Sequence, residues 1–154
     1  MNSPILVTSK RTIGNCPRAM AWACGIIAGV YRAINAHAIV TGDAAGGDHA
    51  ARLVSVELDT HIAVYCAQSG LVSFYKGEHE IRTRKWCAAV SVWSPKERPI
   101  HRNEAMITEF APRNPKVVAL LDARPADRIT HGTERTIALA EAAKLEVLQF
   151  TWRG

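Results

Sequence analysis

Paired cysteines are missing from this chain. Cys16, Cys24, Cys66 and Cys87 form no CxxC spacing, and 154 residues are enough to bury a core without a disulfide scaffold, so reduced thiols and a cytoplasmic location are expected. Long apolar runs are absent too: none approaches the roughly 20 residues needed to cross a bilayer. The amino end lacks a charged-then-apolar signal segment, so neither a membrane partner nor export is expected. Metal-ligand spacings and cofactor motifs are likewise lacking, so neither a metal nor a cofactor is expected. Aromatics are few, with four Trp, three Tyr and three Phe. That scarcity argues against an extended nucleic-acid track, which wants a basic stripe interleaved with stacking rings.

Positive charge is in excess. The 19 Lys and Arg outnumber 14 Asp and Glu, giving a net charge of +5 and an isoelectric point near 9.3. An anionic partner is favoured by that balance. The basic residues are dispersed apart from Lys10-Arg11 and the group 82–85 (RTRK), which reads as a solvated charged loop. Phosphate on a small ligand therefore fits better than a nucleic acid, which is kept as a lesser reading.

The apolar content of 48% suits one domain spanning 1–154. Its pattern alternates strands over 5–8, 37–41, 61–66, 116–121 and 146–150 with helices over 17–35, 47–58, 102–110 and 133–144. That alternation predicts an α/β fold with a mainly parallel sheet of about five strands covered on both faces. Residues 68–99 break the rhythm. Runs 71–75 (LVSFY) and 87–93 (CAAVSVW) are strand-like, the charged stretch 76–85 separates them, and an inserted hairpin or flap is expected.

The densest signal is 41–54, TGDAAGGDHAARLV. It sets a glycine-rich turn between a buried strand and an amphipathic helix, where α/β proteins cradle phosphate on free helix amides. Gly42, Gly46 and Gly47 open the main chain to close approach. The spacing is neither the GxGxxG of dinucleotide folds nor the GK[ST] ending of an ATPase loop, and a plain tight connection would use glycines as well.

Three further segments lie where a parallel sheet gathers ligand-binding chemistry, outside the carboxyl ends of its strands. They are Thr8-Ser9-Lys10-Arg11, His101-Arg102-Asn103 with Met106, and His131-Gly132-Thr133-Glu134. Each has a structural alternative: Asp43 or Asp48 as a helix cap, Thr133 as another, Met106 as core. In this order, however, Val7, Thr8 and Arg11, then Gly42, Ala44, Gly46 and Asp48, then Arg102, Asn103 and Met106, and finally Gly132 and Thr133 resemble the SLOG superfamily, the Rossmann-like group that includes the Lonely Guy phosphoribohydrolases.

That resemblance implies a Rossmann-like three-layer sandwich and a nucleotide-derived ligand. Arg11 and Arg102 would supply forked donors to phosphate. Amides around Gly46, Gly47 and Gly132 would add neutral donors, and Asp48 or Asn103 would take ribose hydroxyls. Ser9 and Lys10 stand where the family has Gly-Ser, Asp43 stands for its second turn glycine, and Thr133 and Glu134 complete the late motif. His101 and His131 flank the expected pocket. The family's glutamate for cleaving the base–ribose bond is Thr136 here, and Glu134 is turned by about 200° on a helix relative to it.

The expected function is therefore binding: sensing, carrying or sequestering a nucleotide-derived small molecule. The alternative is a hydrolase or transferase acting on an N-glycosidic bond, with Asp48, Glu104 or Glu134 as an unconventional carboxylate. A homodimer is expected as well. Helix 17–35 offers Trp22, Ile26, Ile27, Val30, Tyr31 and Ile34, more apolar surface than one face needs, although a fully buried helix in a monomer would show the same spread.

Overall fold

In chain order the computed structural model, which describes residues 3–124 and 131–154, contains β1 (Ile5–Ser9), α1 (Pro17–Ala33), β2 (Ala38–Gly42), α2 (Gly47–Glu57), β3 (His61–Tyr65), β4 (Leu71–Lys76), β5 (His79–Lys85), α3 (Arg98–Phe110), β6 (Lys116–Asp122), α4 (Gly132–Ala142) and β7 (Val147–Trp152). The strands form one sheet in the order β5-β4-β3-β2-β1-β6-β7. β1, β2, β3, β6 and β7 pair in parallel, while β4 and β5 join antiparallel. The protein is thus α/β, with a single, mostly parallel sheet.

The central strands are buried on both faces, which is why they read as unbroken apolar runs. Their side chains alternate between two cores. Ile5, Val7, Ile39, Ile62, Val118 and Leu120 share one with Ala19, Ala23 and Ile27 of α1 and with Ala50, Ala51 and Val54 of α2. Leu6, Val40, Ala63 and Val117 share the other with Met106 and Ile107 of α3 and Ala140 of α4. The buried positions of α1 recur every four residues, placing them on one face. Proline in its first turn costs nothing, because that amide has no helical partner. Among the described residues no helix is long and apolar enough to cross a membrane, and all four cysteines are free thiols.

The 68–99 region differs from expectation in two places. The charged stretch 76–85 is not a loop between strands, because most of it is β5 itself, the edge of the sheet, with Phe74 opposite Arg82 and Val72 opposite Arg84. Gly77 makes the two-residue turn possible at φ +57°. Residues 87–93, apolar enough to read as a strand, carry only a 3₁₀ turn at Val90–Val92. Two contacts hold this segment out of the sheet. Arg98 Nε donates to the carbonyls of Val90 and Trp93 at 3.1 and 3.2 Å, and Trp93 stacks on both Trp86 and His101. The insertion therefore lengthens the sheet by a hairpin: among the described residues five parallel strands are joined by β4 and β5, seven in one sheet.

The strand order fixes where a site can form. From β1 the chain steps outward to β2 and β3, then returns through α3 to β6 on the other side of β1. β1 and β6 lie side by side, with α1, which follows β1, packed on one core and α4, which follows β6, on the other; parallel sheets bind ligands at the carboxyl ends of strands related in this way.

Candidate functional site

Two clusters occupy that carboxyl edge. The first gathers at the end of β1. Ser9 Oγ accepts from the Gly47 amide at 2.9 Å and donates to the Lys10 carbonyl at 3.0 Å, and the Lys10 amide bonds the Leu120 carbonyl at 3.0 Å. The chain then tightens into a 3₁₀ turn, Arg11–Asn15. Gly47 must be glycine for this approach: a Cβ there would lie 2.3 Å from the Ser9 Cβ. Gly46, the residue before α2, has φ +88°, so of the three glycines singled out in the turn only this one uses the left-handed region.

Lys10 Nζ forms an ion pair with Glu134, in the first turn of α4, at 2.7 Å. Burial alone would raise the Glu134 carboxyl, but hydrogen bonding and the charge of Lys10 outweigh it and hold the group below its ordinary value. Gly132 begins α4 and His131 is exposed before it. Arg11 is exposed, and no carboxylate pairs with it among the described residues. A cavity of about 450 Å³ opens beside the turn, lined by Gly14, Asn15, Pro17, Met20, Ala45, Gly46 and His49.

The second cluster lies at the end of β2. Asp48 is 6% exposed, and its carboxylate accepts from Thr41 Oγ1 at 3.0 Å and from the Ala44 amide at 3.1 Å. Loss of water raises its carboxyl above the ordinary range, against the nearby positive charge of Arg102. Arg102 Nη1 donates to Asp43 Oδ1 at 2.6 Å and its Nε donates to Asn103 Oδ1 at 3.0 Å. Asp43 also accepts from the Ala67 amide. A Cβ on Gly42 would fall 2.7 Å from the Arg102 guanidinium carbon, so this group lies directly on the turn.

Ser9, Lys10, Arg11, Gly46, Gly47, Gly132 and Glu134 thus belong to one corner, and Gly42, Asp43, Asp48, Arg102 and Asn103 to its neighbour. The α2 turn joins them. Thr133 is buried at 3% exposure and Met106 at 1%, both within the fold. Thr136 is fully buried, and its hydroxyl donates to the Gly132 carbonyl at 2.9 Å. Glu104 lies 3.6 Å from His101 Nδ1.

Three residues of this edge escaped the sequence reading. Asp122, at the end of β6, is 2% exposed in its side chain and 2.6 Å from Arg124 Nη2. It also accepts from Thr12 Oγ1 at 2.8 Å, and Arg124 donates to the Thr12 carbonyl at 2.9 Å. The Arg124 hydrogen bond pulls the Asp122 carboxyl down to about 2. Backbone amides of Ala19 and Arg18, with help from the Arg124 charge, likewise lower the Cys16 thiol. A carboxylate ending a central parallel strand was the available signal for Asp122.

Cations here are largely neutralised within the chain: Lys10 by Glu134, Arg102 by Asp43, Arg124 by Asp122. No family model, no curated protein and no solved structure matches this chain.

Proposed function

We propose that this protein binds a phosphate-bearing, nucleotide-derived small molecule at the carboxyl edge of its sheet and acts as a sensor, carrier or sequestering protein in the cytoplasm. The reading takes the fold as a Rossmann-like three-layer sandwich of the SLOG kind. The supporting observation is the reversal of strand order between β1 and β6, beside which the end of β1 meets the α2 turn through Ser9 and Gly47 and the start of α4 through Lys10 and Glu134. Phosphate gains most from an exposed guanidinium beside helix-start amides. The adjoining cavity of about 450 Å³ is within the range that small-ligand pockets occupy.

Binding is favoured over cleavage of an N-glycosidic bond by the state of the carboxylates. Both oxygens of Asp48 accept hydrogen bonds in a buried setting, Glu134 is engaged by Lys10, and Glu104 lies with His101. A homodimer through α1 belongs to the same reading, since Trp22, Ile26 and Val30 are only partly buried. Light scattering should give twice the 16.8 kDa chain mass.

The test is thermal unfolding with nucleoside monophosphates, nucleoside diphosphates and inorganic phosphate. One of the nucleotides should raise Tm, and Arg11→Ala should lose about 1.5 to 3 kcal/mol of binding, roughly one to two decades of Kd. A wild-type protein indifferent to all three, or an Arg11→Ala variant that binds equally well, overturns the reading.

A further inference from the structure

A second groove lies at the opposite end of the sheet, where β2 and β3 begin, with a volume of about 390 Å³. Its chemistry is concentrated in Phe74, Arg82, Arg84, Glu109, Phe110 and Arg113. Register explains the convergence. Ala63 opposes Phe74, which opposes Arg82, so these side chains share the face that carries the core under α3. β5 is exposed at six of its seven positions, so that face is left open to water beyond β4.

Rings and cations are interleaved there. The Arg82 guanidinium carbon lies 4.5 Å from the Phe74 ring centre and that of Arg84 5.5 Å. Arg113 lies 5.6 Å from the Phe110 ring. Among the described residues Glu109 is the one carboxylate in the lining, and it is taken by Arg84 at 2.7 Å and by the Tyr65 hydroxyl. Arg82 and Arg113 pair with no carboxylate among the described residues.

The groove therefore selects an occupant with negative charge and flat faces together. An acidic peptide would meet the arginine charges and leave the flat guanidinium-on-ring stacks unused. A second copy paired antiparallel along the β5 edge about Thr83 would bring Arg82 of each copy against Arg84 of the other, and these like charges repel. Single-stranded nucleic acid supplies one phosphate and one open base face per nucleotide, whereas a duplex hides its base faces in the stack. We propose that this groove binds single-stranded nucleic acid, with bases stacked on the guanidinium planes that lie over Phe74 and Phe110 and with phosphates on Arg82 and Arg113. Dispersion of basic residues along the sequence does not oppose this, because folding brings Arg113 beside the hairpin.

The experiment is fluorescence anisotropy of a labelled oligothymidylate on the full chain, at low salt and across a salt series. A duplex of equal length and polyglutamate serve as competitors. The single strand should bind most tightly. Arg82→Ala and Arg113→Ala, both at exposed positions, should each weaken it roughly tenfold or more, and each should lower the salt slope by about one. Phe74→Leu should weaken the single strand by a similar factor while leaving competition by polyglutamate unchanged. Arg11→Ala, at the other edge, should leave oligonucleotide affinity as it was, so failure here and failure of the carboxyl-edge reading can be told apart. The proposal is overturned by absence of binding at low salt, by polyglutamate binding as tightly as the strand, by arginine variants that bind like wild type, or by loss of binding in Arg11→Ala.

Discussion

Arg102 and Asp43 meet at 2.6 Å although 59 positions of chain separate them. The same Asp43 oxygen accepts from the Ala67 amide, so one carboxylate fastens the β2–α2 turn to α3 and to the loop after β3. Arg102 is 6% exposed in its side chain and Asp43 36%. The cation is the member that has lost its water, and it depends on the pair.

Removing the acid should therefore cost more than removing the base. Asp43→Ala leaves a buried guanidinium without the carboxylate it donates to, with only Asp48 still nearby, and should lower stability by about 1.5 to 3 kcal/mol. The loss should fall short of a fully buried pair because water reaches Asp43. Arg102→Met fills the space without a charge and should lose less. Urea unfolding of both variants checks the order; Asp43→Ala with an unchanged midpoint would show that the pair contributes nothing.

The contact between Ser9 and Gly47 makes a steric prediction. A methyl group at Gly47 would sit 2.5 Å from Ser9 Oγ as well as against its Cβ, so Gly47→Ala should destabilise by roughly 1 to 3 kcal/mol or more. Ser9→Gly alone removes the acceptor of the Gly47 amide and should cost about 1 kcal/mol. Combined, the two changes should be less damaging than Gly47→Ala by itself, because the nearer clash is gone and only the movable end of Leu120, 2.9 Å away, has to shift. Calorimetric Tm values for the three variants decide it, and strict additivity would refute the contact.

How legible the fold was depends on where each strand lies. β1, β2 and β6 were readable because a strand buried on both faces must be apolar throughout, as ILVTS, AIVTG and KVVALLD largely are. β5, HEIRTRK, was not, because an edge strand exposed on both faces has no periodicity to display and carries the charges that discourage edge pairing. The run 87–93 misled in the other direction, since its apolar side chains serve ring stacking around Trp93 rather than a ladder. In the candidate site, positions came from motif order, but partners did not. Nothing local in HRNEAM shows that Arg102 faces Asp43, or that Asp122 lies beneath Thr12.

Asp122 gives the acid limb of stability. Its carboxyl is lowered to about 2 by Arg124 first, then by Thr12 and the Arg124 amide. A group held below its unfolded value of roughly 3.9 stabilises the fold above that pH. The contribution fades as pH falls through the folded value. Wild type should thus lose stability between about pH 4 and pH 2, and Asp122→Asn should show a flatter profile over that window together with lower stability at neutral pH. Denaturant midpoints measured across the acid range test this, and parallel profiles for the two proteins would contradict it.

Thr136 joins stability to function, because a phosphoribohydrolase-like site would carry its glutamate there. The residue is 0% exposed, and its hydroxyl bonds the carbonyl one turn earlier at 2.9 Å. Thr136→Glu replaces that donor with a larger group that accepts only, and forces either a buried carboxylate or a shifted helix. Thermal unfolding should show a loss of several kcal/mol, whereas Thr136→Val should cost only about 1 kcal/mol for the missing hydrogen bond. Neither variant should release free base from a nucleoside monophosphate faster than buffer. A Thr136→Glu protein that melts like wild type and liberates base would mean that this face of α4 turns toward bound sugar, and the binding-only reading of the carboxyl edge would fall with that result.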